Sequence, residues 1–144
     1  MHKKYTALIF LLVIAALTVQ TPALADSYTV KTSSDKFIGT YLVNQSGFTL
    51  YYTKNDSMVN DASTCYGECA ATWTPFYDPI LSLPDNLRSF DFGSITRSDG
   101  TMQTTFKGWP LYLYIKDNAP GDVWGEGVDG VWYMVDPDNQ PQVI

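Results

Sequence analysis

Histidine is all but missing from this chain: the only one is His2. It lies in an amino-terminal stretch that reads as a secretory signal, so the expected mature chain has no imidazole at all. That excludes Ser-His-Asp and Cys-His hydrolysis and every His-ligated metal site. Cysteine is limited to Cys65 and Cys69, too few for a dense disulfide scaffold. Basic residues are few. After residue 25 there are 7 of them against 15 acids, a net charge of 7 − 15 = −8. Such a surface repels nucleic acid and anionic lipid. Glutamate is scarce as well: 13 of the acids are Asp and 2 are Glu. Aspartate belongs to turns and caps, whereas glutamate belongs to helices.

The first residues explain what leaves with the signal. Lys3 and Lys4 give a positive start, Ala7 to Val19 is apolar apart from Thr18, and Ala23-Leu24-Ala25 offers small residues to a signal peptidase. The apolar core is about 13 residues, or about 20 Å as a helix, against about 30 Å of hydrocarbon. Cleavage after Ala25 is therefore expected, with no stable membrane insertion afterwards. The residue directly after that point is Asp26 and not cysteine, so a bacterial-type lipid anchor is not expected there.

What the chain has in abundance is self-similarity. Gly47-Phe48-Thr49-Leu50-Tyr51-Tyr52-Thr53-Lys54-Asn55-Asp56 returns as Gly108-Trp109-Pro110-Leu111-Tyr112-Leu113-Tyr114-Ile115-Lys116-Asp117, with no gaps. Glycine, aromatic, leucine, tyrosine and aspartate recur at the same offsets. A duplicated unit constrains the architecture before any local assignment. Richness in Tyr, Thr, Val, Phe and Gly points to β-sheet with many turns.

Each unit reads as a hairpin, an acidic loop and then a tryptophan, Trp73 or Trp132. Asp26 to Ser34 reads as a frayed polar lead. Phe37 to Val43 and Phe48 to Thr53 read as strands around the Asn44-Gln45-Ser46-Gly47 turn. Cys65 to Trp73 reads as a short helical turn stopped by Pro75. In the second unit the strands are Phe90 to Thr96, Thr101 to Phe106, Trp109 to Ile115 and Val131 to Val135. Asp99-Gly100 is a hairpin turn signal. The expected organisation is a signal peptide at 1–25 and one β domain at 26–144. Within it, unit one covers about 37–76, a linker 77–89, and unit two about 90–136. One unit is too small to bury its aromatic face alone. The expected fold is all-β: two tandem hairpin units, related by a pseudo-twofold axis, forming a small sandwich or barrel. Leu50, Leu111, Trp73 and Trp132 are expected in one shared core.

The motifs resemble a family of secreted, often lipid-anchored, repeat proteins marked by Tyr-x-aromatic-x-x-Asp. Tyr112 to Asp117 carries that signature in full, and Tyr51 to Asp56 carries it with Thr53 in the aromatic position. Cys65-x-Gly67-x-Cys69-Ala70 followed by Trp73 is similar to the family's cysteine segment, with Thr74 where proline is more usual. Asp99-Gly100 with Gln103, Gly108 to Tyr112, and Val128 to Tyr133 resemble its second repeat. The resemblance covers about residues 37 to 135. It implies an extracytoplasmic location and a two-unit architecture. The family has no settled biochemical role.

Several residues invite a chemical reading. Cys65 and Cys69, outside the cytoplasm, are expected to form a structural disulfide; the rivals are a redox-active pair and a thiolate metal site. Asp56 and Asp117 close the repeated motif, and duplication favours a loop-anchoring role. Asp117, Asn118, Asp122 and Asp129 share one glycine-rich loop and offer the hard oxygens that calcium takes, so calcium is the one cofactor considered. A carboxylate-pair hydrolase would use Asp56 and Asp117. Tyr112 and Tyr114 share one strand face and Leu111 and Leu113 the other. The tyrosines either form an outward platform for sugars or partner proteins, or a second core layer under a loop. Asn44-Gln45-Ser46 and Asn55-Asp56-Ser57 fit the N-glycosylation pattern. The reading these features favour is a secreted or cell-surface non-catalytic module that binds an envelope glycan or a protein partner. The alternative is an extracytoplasmic redox or metal-handling protein.

Overall fold

The computed structural model describes residues 27–56 and 62–140. The signal segment, and Ser57 of the second glycosylation pattern, lie outside the described residues. In chain order the elements are β1 (Val30–Asp35), β2 (Gly39–Asn44), β3 (Tyr51–Thr53), α1 (Glu68–Thr72), β4 (Trp73–Pro75), β5 (Phe92–Thr96), β6 (Met102–Phe106), β7 (Trp109–Pro110), β8 (Tyr112–Tyr114) and β9 (Trp132–Met134). Single 3₁₀ turns precede β5 and β9, at Ser89–Asp91 and Val128–Gly130.

The strands form three antiparallel sheets, β1-β2, β4-β8-β3-β9 and β5-β6-β7. The four-stranded sheet is the centre of the molecule, and its order carries the main result. Tyr51 stands directly opposite Tyr112 at the middle of the β3–β8 pair. Outside them, β4 of the first unit pairs with β8 of the second, Trp73 opposite Tyr114. β9 of the second unit pairs with β3 of the first, Trp132 opposite Thr53. Those are equivalent positions in the repeat. The backbone bonds obey the same rotation. Val135 N–H donates to Leu50 O at 3.0 Å as Phe76 N–H does to Leu111 O at 2.9 Å. Lys54 N–H donates to Val131 O at 2.9 Å as Ile115 N–H does to Thr72 O at 3.0 Å. A pseudo-twofold axis therefore passes between Tyr51 and Tyr112, and each unit's closing strand completes the other unit's sheet.

The motif glycines serve the same turn role in each unit. Gly47 and Gly108 both have φ near +87° (87° and 86°), a region costly for residues with a Cβ. In the second unit Lys107 also has positive φ, giving the two-residue turn that joins Phe106 to its partner Trp109.

The central sheet is covered on both faces, and the faces differ in chemistry. One side is lined by aliphatic residues and phenylalanine: Leu42, Leu50, Leu111, Phe76, Phe106 and Val135 are buried there. The other is aromatic: Tyr51, Trp73, Tyr112, Tyr114 and Trp132. Trp73 and Trp132, mates across the axis, stack at 3.9 Å with planes 3° apart. Tyr51 meets Trp73 edge-on at 5.5 Å, and Tyr112 meets Trp132 edge-on at 5.1 Å. The two T-shaped contacts are an arrangement the ring quadrupoles favour.

Several expectations change. The single shared core is two cores, with Leu50 and Leu111 on one face and Trp73 and Trp132 on the other. Alternation along a strand makes this unavoidable, because Leu111 and Tyr112 are neighbours. Of the two readings of the strand-face tyrosines, the second core layer holds and the outward platform does not: Tyr112 is 0 % and Tyr114 8 % exposed. The expected frayed lead instead holds β1, paired along its length with β2 from Val30↔Asn44 to Asp35↔Gly39. Phe37, expected in a strand, sits in the connecting turn and is 84 % exposed. Finally, Trp109 to Ile115 is two short strands, because Leu111 turns away to join the core around Leu50 and the partner backbone.

Candidate functional site

The repeated motif forms a pair of crossed hydrogen bonds. Tyr51 Oη donates to Asp117 Oδ2 at 2.8 Å, and Tyr112 Oη donates to Asp56 Oδ2 at 2.7 Å. Each tyrosine thus binds the aspartate of the other unit. The remaining oxygens anchor the loops that follow. Asp56 Oδ1 accepts from Thr64 N–H at 2.8 Å and Thr64 Oγ1 at 2.7 Å. Asp117 Oδ1 accepts from Trp124 N–H at 3.0 Å. Gly125 N–H donates to Tyr51 Oη at 3.2 Å. A Cβ on Gly125 would lie 2.7 Å from the Tyr51 ring and 2.9 Å from Trp73, so backbone lies flat against the aromatic face here.

The two halves differ in what stands behind the pair. Ser63 Oγ lies 2.6 Å from Tyr112 Oη. The one phenolic hydrogen goes to Asp56, so Ser63 donates to Tyr112. Ser63 Oγ accepts in turn from Arg97 Nη1 at 2.7 Å. Arg97 also donates to Gln103 Oε1 at 2.7 Å and to Cys65 O at 2.6 Å, while Gln103 Nε2 donates to Leu111 O at 2.7 Å. The guanidinium lies 4.4 Å over the Tyr66 ring and is only 3 % exposed. Its charge reaches Asp56 through two hydroxyls. Behind Tyr51 stand backbone groups and the Thr49 hydroxyl, which donates to Asp122 O at 2.7 Å. Sequence reasoning missed Arg97, Ser63 and Thr64. No spacing rule links a hairpin-turn arginine to a carboxylate in the other unit; the only hint was that Asp56, if buried, needed donors.

Burial pushes the carboxyls of Asp56 and Asp117 above the usual carboxylate range, against the pull of the tyrosine hydroxyls and the loop N–H groups. The nearby Arg97 charge also works against burial at Asp56. Burial first, and the facing carboxylates second, hold the Tyr51 and Tyr112 phenols protonated far above their ordinary value. The direction of both crossed bonds is therefore fixed, from tyrosine to aspartate.

Cys65 and Cys69 form a disulfide, with Cα atoms 5.2 Å apart. Gly67, at φ 58°, bends the segment before α1 and brings the two together. Cys65 is buried against the aromatic core. In the acidic loop, Asp122 Oδ2 accepts from Asn118 N–H at 2.8 Å and Ala119 N–H at 3.0 Å, while Asp117 faces the core. Asp129 sits in the 3₁₀ turn before β9 with φ 53°. Among the described residues no group of three or more His, Cys, Asp or Glu side chains is placed to hold a metal ion.

Open concave surface lies away from the motif. A polar groove of about 610 Å³ runs beside β1 and β2, lined by Thr32, Ser33, Ser34, Thr40, Asn86, Pro137 and Asp138. A smaller depression of about 170 Å³ adjoins it through Asn86, Pro137 and Asp138, and adds Arg88, Asp91 and Lys107. Lys107 Nζ donates to Pro137 O at 3.1 Å and Gln140 O at 3.2 Å, which seats the wall of both.

Two crossed motif units on one all-β scaffold define a tandem-repeat protein. Residues 32–77 and 93–136 each match the family described as a secreted repeat of unknown function, and the chain belongs to that family. No curated protein and no solved structure matches it. Among the described residues no helix is long and apolar enough to cross a membrane.

Removing one phenolic oxygen leaves a buried carboxylate short of a donor, at a cost of about 1–3 kcal/mol. Tyr112→Phe should cost more than Tyr51→Phe in urea unfolding, because it cuts the arm through Ser63 to the buried Arg97 charge, whereas Tyr51→Phe frees the Gly125 N–H. Equal losses would show the Arg97 arm to be idle. A second expectation concerns pH. Folded Asp117 binds its proton more tightly than the unfolded chain does, so its contribution is full below about pH 4 and is lost as pH rises through the raised folded value. Wild type measured against Asp117→Asn should be relatively more stable at pH 4 than at pH 7; the opposite slope contradicts a raised carboxyl.

Proposed function

We propose that this protein is a non-catalytic extracytoplasmic module that binds an envelope glycan in the groove beside β1 and β2. One observation carries the reading. The chemistry of the repeated motif is engaged inside the fold, while Ser34 and Thr40 stand opposite each other in the β1–β2 pair and line the wall of an open polar groove. Small-molecule pockets are mostly apolar and enclosed. A polar, open groove instead suits a polyhydroxylated ligand that exchanges bonds with water for bonds with Ser, Thr, Asn and Asp side chains. The whole of 26–144 acts as one domain on this reading, with 1–25 removed on export.

No catalytic role is assigned to Asp56 or Asp117, whose oxygens are engaged by tyrosine and loop donors. The redox or metal-handling alternative draws no support from Cys65 and Cys69. Their sulfurs are bonded to each other, and Cys65 is 1 % exposed.

The test is chemical-shift mapping with a panel of neutral and amino-sugar oligosaccharides. Shifts should concentrate at Thr32, Ser34, Thr40 and Asn86. Ser34→Ala with Thr40→Val should weaken binding about tenfold, or about 1.4 kcal/mol, with thermal unfolding unmoved. Shifts confined to other surfaces, or none at millimolar sugar, contradict the glycan reading and leave a protein partner as the outcome.

A further inference from the structure

The central sheet contains no pair of neighbouring strands from the same unit. β3 of the first unit lies between β8 and β9 of the second, and β8 lies between β3 and β4 of the first. The crossed Tyr–Asp bonds, the Trp73–Trp132 stack and the Arg97 bonds to Ser63 and Cys65 O also join the two halves. What each half keeps to itself is a peripheral hairpin, β1-β2 or β5-β6-β7, and its link to the central strand. The disulfide lies within the first half and does not lock one half to the other.

The connection between the halves is a single passage of chain: Asp78 N–H donates to Thr104 Oγ1 of the second half at 3.0 Å, and the stretch from Ser82 to Asn86 is docked on the first half. Thr29 N–H donates to Ser82 O at 2.9 Å, Ser82 N–H donates to Thr29 Oγ1 at 3.0 Å, and Asn86 Nδ2 donates to Thr32 Oγ1 at 3.0 Å. The chain leaves the first half only after Asn86. The change of direction falls on Arg88, which is extended, and the 3₁₀ turn Ser89–Asp91 behind it. Arg88 and Phe90 are exposed there.

We propose that a second copy of this chain is a binding partner, by reciprocal exchange of halves about a hinge at Arg88–Asp91. The interface would be the one already present inside each molecule: β3 against β8 and β9, with each tyrosine on the aspartate of the opposite half. Both lobes of the dimer keep every contact of the closed monomer outside the hinge; within it the Arg88–Asp91 ion pair and the 3₁₀ turn Ser89–Asp91 would open. Domain swapping is a low-cost route to dimers where an identical element can be traded between protomers. Here the traded element is half of the core.

The test uses the full mature chain with a protease recognition sequence inserted between Arg88 and Ser89. The protein is unfolded, refolded at graded concentrations with the disulfide intact, and sized by light scattering. A dimer fraction rising with refolding concentration is expected. Cutting the isolated dimer at the hinge should halve its mass, giving monomer-sized lobes that each contain both fragments. A dimer that keeps its mass after cutting is docked through outer surfaces, and overturns exchange. Monomer alone at every concentration overturns it too. So does separation of the two fragments of the cut monomer under native conditions, since the halves would then not hold each other.

Discussion

The structure depends on two buried carboxylates, each of which its own unit satisfies at only one oxygen. Asp56 and Asp117 are buried, 3 % and 7 % exposed, and an ionised carboxyl in that position is costly without close donors. The decisive donor for each is the phenol of the opposite unit. Neither half can therefore bury its motif alone. The sheet order follows the same logic, because bringing Tyr51 onto Asp117 and Tyr112 onto Asp56 places β3 beside β8 with Tyr51 facing Tyr112. Closing strands β4 and β9 then each pair with the opposite unit's central strand. The repeated tyrosine, aspartate and tryptophan are the joint between the units.

That joint is symmetric and its surroundings are not. Tyr112 is backed by Ser63 and a buried guanidinium, whereas Tyr51 is backed by a backbone N–H. A polar chain in a low-dielectric site rigidifies to the extent that its members are satisfied, and in this one Arg97 Nε has no hydrogen-bond partner among the described residues and lies 3.9 Å from Asp99 Oδ2. The chain of bonds runs from Asp56 through Tyr112 and Ser63 to Arg97, and ties the loop carrying the disulfide to the β5–β6 turn. The outer surface is likewise unequal. The larger groove belongs to the β1–β2 hairpin and the segment docked on it. Duplication accounts for the core, and divergence for the surfaces on which binding would act.

Much of this was legible in the residues. The gapless return of Gly47 to Asp56 as Gly108 to Asp117 announced two equivalent strands, and equal positive φ at Gly47 and Gly108 follows from that equivalence. The alternation Leu111-Tyr112-Leu113-Tyr114 separated two faces correctly. It could not say that both faces are covered, because tyrosine suits a wet surface and a dry core equally well. β1 was hidden by its polarity: Val30 to Asp35 is Val-Lys-Thr-Ser-Ser-Asp, with only Val30 fully buried. β4 was hidden by Pro75, which holds the end of an outer strand where a missing N–H is tolerated. Arg97 was hidden because its partners lie 32 and 34 residues away, in the other unit.

Hydrogen exchange of the native protein addresses the crossed joint most directly, since it reports which parts open together. The informative amides are Val135 and Phe76, bonded to Leu50 O and Leu111 O across the axis, and Lys54 and Ile115, bonded to Val131 O and Thr72 O. If each half is held only by the other, all four should exchange through one opening, with the same dependence on urea. Should one half's amides exchange through a smaller opening while the other half stays protected, the halves are independent and the crossed tyrosine–aspartate bonds do not govern the fold.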